Sequence, residues 1–159
     1  MKVETKVGYL KDEYFFVQKL YEDFDGRILV IKGWGTTVGL SGIGLAFSSH
    51  TPAIWLFASF ASVVFWVLEA MWKSFQYMYG TRIVELERAF KEGEFGELAP
   101  LQIYTRWFDH LQAHGWQLWR NCGLLLVALP HALTAALGIG LYVGHELGWG
   151  WLQFPSPQR

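Results

Sequence analysis

The chain has 159 residues, the length of a single domain, of which 52% are hydrophobic and 18% aromatic, with a mean hydropathy of +0.20. A water-soluble domain of that size would expose too much apolar surface, so lipid is the expected solvent. The formal net charge of −1 gives nucleic acid no electrostatic reason to bind, and the single cysteine, Cys122, excludes an intrachain disulfide.

The first residues lack the basic, apolar and small-residue segments of a secretory signal, so insertion is expected to rely on internal spans. Within 1–27 and just beyond, Leu10, Tyr14, Val17, Tyr21, Phe24, Ile28 and Ile31 recur at spacings of four and three. That is the seam of an amphipathic cytoplasmic helix, and it runs without a break into a first span at 28–47. A helix of twenty residues reaches roughly 30 Å, the thickness of the hydrocarbon core. The span's one charge, Lys32, stands near its end, and its five glycines lower helix propensity while permitting close contact with another helix.

A turn of four residues, 48–51, leads to a second span at 52–72, which opens on Pro52 and carries only Glu69. The helix is expected to continue inward over 73–92, with Phe75, Tyr79, Ile83, Leu86 and Phe90 on one stripe against Lys73, Arg82, Glu85 and Arg88. Because the turn is short, the two spans are antiparallel neighbours, and their inner stripes are expected to pair as a cytoplasmic helical hairpin. Gly93 and Gly96 end that arm. Pro100 opens an amphipathic helix over 100–114, whose Leu101, Tyr104, Trp107, Phe108 and Leu111 suit the interface plane. A third span, 118–144, has no Asp, Glu, Lys or Arg from 121 onward, and 145–159 form an outer tail. The expected fold is an all-α membrane protein with three transmembrane helices.

Orientation follows from the basic residues. Twelve of the thirteen Lys and Arg precede or open the first span, lie between the second and third, or, as Arg120 does, stand at the start of the third; the exception is Arg159. By the positive-inside rule, the N-terminus is cytoplasmic and the C-terminus outside, in a bacterial inner membrane. Tryptophans agree, with Trp34, Trp72, Trp116 and Trp119 at the inner boundary and Trp55, Trp149 and Trp151 at the outer one.

Four groups of residues merit a chemical reading. Pro130 deprives the Leu126 carbonyl of its helical donor, and His131 beside it is an ionisable group in mid-span, so the pair reads as a proton relay or pore lining, or as a neutral histidine hydrogen-bonded to a neighbouring helix at a kink. With no carboxylate expected near mid-span, a relay would lack a partner. Glu69 and Lys73, four residues apart, read as a structural ion pair that Lys32 could share. Gly35-x-x-x-Gly39 on the first span and Ala58-x-x-x-Ser62 on the second are small-residue faces for helix packing or oligomerisation. His110 and His114 have metal-ligand spacing, yet a site needs a third ligand that nothing local supplies, so no metal or other cofactor is expected. The run Gly39 to Gly44 lacks the Gly-Lys-Ser/Thr of a phosphate loop, and neither Cys122 nor Ser48, Ser49 and His50 have an evident base and acid. Nothing here spells out an enzyme.

Residues 14–27 (YFFVQKLYEDFDGR), the following Lys32-Gly-Trp34, and Glu69-x-x-Trp72-Lys73-x-x-Gln76 with Arg82-Ile-x-x-Leu-Glu87 resemble the SLATT type of small bacterial membrane protein. The resemblance covers about residues 10–90, and the third span and outward tail depart from it. It implies a membrane hairpin with cytoplasmic helical extensions that oligomerises and compromises the membrane as an effector of antiphage defence. The expected function is therefore a non-enzymatic homo-oligomeric protein, pore-forming or membrane-disrupting. The alternative is an accessory or scaffold subunit that docks a cytoplasmic or membrane partner.

Overall fold

A computed structural model describes residues 2–115 and 117–154. Trp116, expected at the inner boundary, and the end of the expected outer tail, 155–159, lie outside the described residues. All regular structure among the described residues is helical: α1 (Val3–Ser49), α2 (Ala53–Glu92), α3 (Ile103–His114), α4 (Leu118–Cys122), α5 (Leu125–Glu146) and a 3-10 turn (Gly150–Leu152). Helices α1, α2 and α5 are long and apolar enough to cross a membrane. Only 22%, 33% and 28% of their most apolar stretches is buried within the protein, so most of that surface faces outward, as suits helices with lipid for solvent.

The chain forms two compact units, Met1–Ile28 with Met71–Leu118, and Leu29–Ala70 with Trp119–Arg159. In the first, the early part of α1 meets the late part of α2. Leu10, Leu86, Ala89 and Leu98 make its apolar core, with Tyr14 and Phe95 packed against it. Farther along, Gln76 Nε2 donates to the Tyr21 carbonyl at 3.0 Å, and Phe24 packs on Trp72 and Tyr79. Partner numbers fall on α2 as they rise on α1, the mark of an antiparallel pair.

Arg82, expected on the charged side of its helix, lies in this core at 2% exposure. Its Nε donates to Glu13 Oε1 at 2.8 Å, Nη1 donates to Glu85 Oε2 at 2.8 Å, and Nη2 donates to the Ala99 carbonyl at 2.9 Å. Glu13, equally buried, uses its other oxygen to accept the Leu101 N–H at 2.7 Å. Leu101 takes a left-handed φ of 63°, a strained choice for a branched side chain, and the charge-assisted bond to Glu13 offsets that strain. This turn is why α3 begins at Ile103 rather than directly at Pro100.

In the second unit, Ile43, Ala46, Trp55, Ala58 and Leu152 form the core. The third span, read as one helix over 118–144, is divided. Leu124 is extended, with φ −65° and ψ 127°, between α4 and α5. The Trp66 indole N–H donates to the Cys122 carbonyl at 3.0 Å, so that oxygen has a partner where the helical ladder stops. Trp55, expected at the outer boundary, is wholly buried among Phe47, His145 and Phe154. The chain after α5 folds back, so that Trp149 and Leu152 occupy the space a side chain at Gly144 would need.

Candidate functional site

The second unit holds three ionisable side chains against one another, one from each long helix. Glu69 of α2 is fully buried. Its Oε1 stands 3.1 Å from Nζ of Lys32 on α1, and its Oε2 stands 2.9 Å from Nε2 of His131 on α5. His131 is 1% exposed, whereas the Lys32 side chain keeps 28% exposure.

Local sequence explains each placement. Pro130 has no N–H to offer Leu126 four residues earlier, and Lys32 Nζ donates to that carbonyl at 2.7 Å. One ammonium therefore completes both a carboxylate pair and a broken helical ladder. On α1, Gly35 has no side chain, and the His131 ring fills the volume: a Cβ built there would lie 2.7 Å from Cε1 of the imidazole. A turn later a Cβ at Gly39 would meet Thr134 at 2.5 Å and Ser62 at 2.8 Å. Ala58 closes on Gly42 in the same way. The small-residue faces carried by Gly35, Gly39, Ala58 and Ser62 are thus occupied by helices of the same chain.

The expected pair of Glu69 with Lys73 is replaced. Glu69 turns to Lys32 and His131, while Lys73 lies 3.5 Å from Asp25 and donates to Gln76 Oε1 at 2.6 Å in the first unit. Lys73 thus finds its hydrogen-bond acceptor one turn along its own helix and its opposite charge on α1. Lys32, expected only to share the pair, is the principal cation of the site. His131 was expected without a carboxylate near it, and the structure supplies one.

His110 and His114 stack ring on ring at 4.4 Å on α3, none of whose residues is buried. Stacking turns the rings face to face instead of converging their nitrogens. Among the described residues no group of three or more His, Cys, Asp and Glu could hold a metal ion. The Glu13–Arg82 pair in the first unit was missed altogether. Burial lowers the proton affinity of the Arg82 guanidinium, but its hydrogen bonds and charge contacts with Glu13 and Glu85 outweigh this and hold its pKa above the usual arginine value.

Chemically, Lys32, Glu69 and His131 provide a carboxylate between two basic groups. The arrangement presents no activated nucleophile, and its capability is to hold charge and exchange a proton inside an apolar unit. The chain matches no family model, no curated protein and no solved structure.

Proposed function

We propose that the chain is a non-enzymatic accessory or scaffold subunit of a bacterial inner membrane, N-terminus inside and C-terminus outside, whose cytoplasmic helical unit docks a protein partner. In this reading α3 lies along the membrane interface, with Tyr104 and Phe108 toward the headgroups. The observation that carries it is an open cleft of about 730 Å³ in the first unit, walled by Lys6, Arg88 and Arg106 on one hand and Glu92, Glu94 and Glu97 on the other. Mixed charge of this kind suits a polar protein segment carrying both signs. The occupied small-residue faces of the second unit weaken the motive for self-assembly and so favour this subunit reading.

A photo-crosslinking residue placed at Arg88 tests the proposal in living cells. A single stoichiometric adduct with another protein, absent when the same residue is placed at the outward-facing Leu56, is the expected result. Adducts with lipid or with a second copy alone would overturn it.

A second reading, the homo-oligomeric pore or membrane-disrupting effector, draws on the buried Lys32–Glu69–His131 cluster, since ionisable groups inside spans mark ion paths. The resemblance to SLATT proteins points the same way. Dye release from liposomes carrying the purified protein supports it, and sealed vesicles around a monomer reject it.

A further inference from the structure

We propose that His131 and Glu69 bind one exchangeable proton inside the span unit, and that Lys32 is the cation that sets its occupancy. The ligand is the proton itself, and the inference goes beyond docking or pore formation.

The argument starts from hydrogen-bond chemistry. A carboxylate accepts and does not donate, so the 2.9 Å contact of Glu69 Oε2 with His131 Nε2 requires the proton on Nε2. In that state Lys32 and Glu69 cancel, the imidazole is neutral, and the cluster has no net charge. A proton taken from water adds to Nδ1, no covalent bond breaks, and the cluster gains one positive charge shared by two cations around a single carboxylate.

An uncompensated charge is costly among apolar helices, and the three residues differ in how they can relieve it. Glu69 and His131 have side chains 1% exposed, and Gly35 packs directly on the imidazole. Lys32, at 28%, is the one with a path outward along its flexible stem. Proton uptake therefore transfers Glu69 to His131 alone and sends the ammonium toward the boundary. Its departure removes the donor that the Leu126 carbonyl has in place of an N–H at Pro130. Protonation at His131 is thereby coupled to the grip of α1 on the Pro130 end of α5. The charged groups in contact with this imidazole and its partner are Glu69 from α2 and Lys32 from α1; among the described residues α5 contributes no other.

The test is nitrogen NMR of the full chain, ¹⁵N-labelled at histidine, in lipid nanodiscs, with His131→Asn identifying the signal. The expected result is an imidazole whose protonated-to-neutral ratio changes between about pH 5 and pH 8. At fixed pH that ratio falls about tenfold in Glu69→Gln and rises about tenfold in Lys32→Gln, because the first removes an anion and the second a cation. Lys32→Arg keeps the charge and stays near the unsubstituted protein. The proposal is overturned if His131 holds one protonation state across the range. Movement of the ratio in the same direction by both neutral variants overturns it too. Should either neutral variant fail to fold, the unsubstituted protein and Lys32→Arg still decide the matter through the pH series.

Discussion

The ammonium of Lys32 on α1 lies 2.7 Å from the carbonyl oxygen of Leu126 on α5, the oxygen that Pro130 leaves without a helical donor. Restoring that donor should make the lysine partly redundant. In Pro130→Ala, the new N–H reaches Leu126 directly. Lys32→Met is therefore expected to cost less in the Pro130→Ala background than in the unsubstituted chain, by a coupling of about 0.5–3 kcal/mol. Thermal unfolding of the four proteins in one detergent measures it; additive effects would show that the lysine does not serve that carbonyl.

Glu13 and Arg82 tie the turn at 99–101 to α1 and α2 through three bonds, and both side chains are buried. Glu13→Ala removes the buried carboxylate from Arg82, leaving it only the half-exposed one of Glu85, and frees the Leu101 N–H. A loss of about 3–5 kcal/mol is expected, the usual cost of removing one partner from a buried pair. Limited proteolysis is then expected to cut between 93 and 102 faster than in the unsubstituted protein. Unchanged cleavage would mean that the turn is held by other contacts.

Glycine substitutions should divide by position. A Cβ at Gly138 would lie 2.7 Å from the Trp55 carbonyl, a backbone atom that cannot swing aside, whereas nothing lies within 4 Å of one at Gly44. Gly138→Ala is expected to destabilise by about 1–3 kcal/mol, the range for overpacked interiors. Gly44→Ala should be neutral or stabilising, since alanine favours helix. Melting temperatures of both variants in lipid would separate the two outcomes.

Alkaline titration offers a check on the first unit. Burial raises the pKa of Tyr21, with Asp25 and Tyr77 adding to the shift, and burial likewise raises that of Tyr79. A folded pKa above the unfolded one means that the associated stability is complete below the unfolded value, about pH 10, and is lost as pH rises through the folded values. Ultraviolet absorbance of phenolate should thus show a late-ionising component that shrinks in the Tyr21→Phe, Tyr79→Phe double variant, leaving the contribution of Tyr14, whose pKa is raised by its hydrogen bond to Glu87. Ordinary ionisation of every tyrosine would contradict the packing of Tyr79 on Phe24.

Composition and run length made the three spanning helices legible, because an apolar run of twenty residues has few other uses. Spacings of three and four likewise marked Leu10, Val17 and Leu86, all wholly buried. The same periodicity placed Glu13 between Leu10 and Val17, and Arg82 between Met78 and Leu86, so the buried pair was within reach had charge been read as part of the stripe. The meeting of Glu69 with His131 was less accessible. Counting along an unbroken 118–144 puts His131 in mid-span, but the break at Leu124 starts α5 at Leu125 and moves the histidine into its second turn. Depth in a bundle depends on where a helix starts, and that depended on a tertiary bond from Trp66 to Cys122.

The cluster has an implication for biosynthesis. Lys32 and Glu69 emerge from the ribosome well before His131, which follows Glu69 by 62 positions. While the third helix is still being translated, the nascent pair can already neutralise each other, so the first two segments need not wait for it to enter the lipid. The late-arriving imidazole then joins an anion whose charge is already matched, which lets synthesis proceed in order without leaving a naked ion among acyl chains.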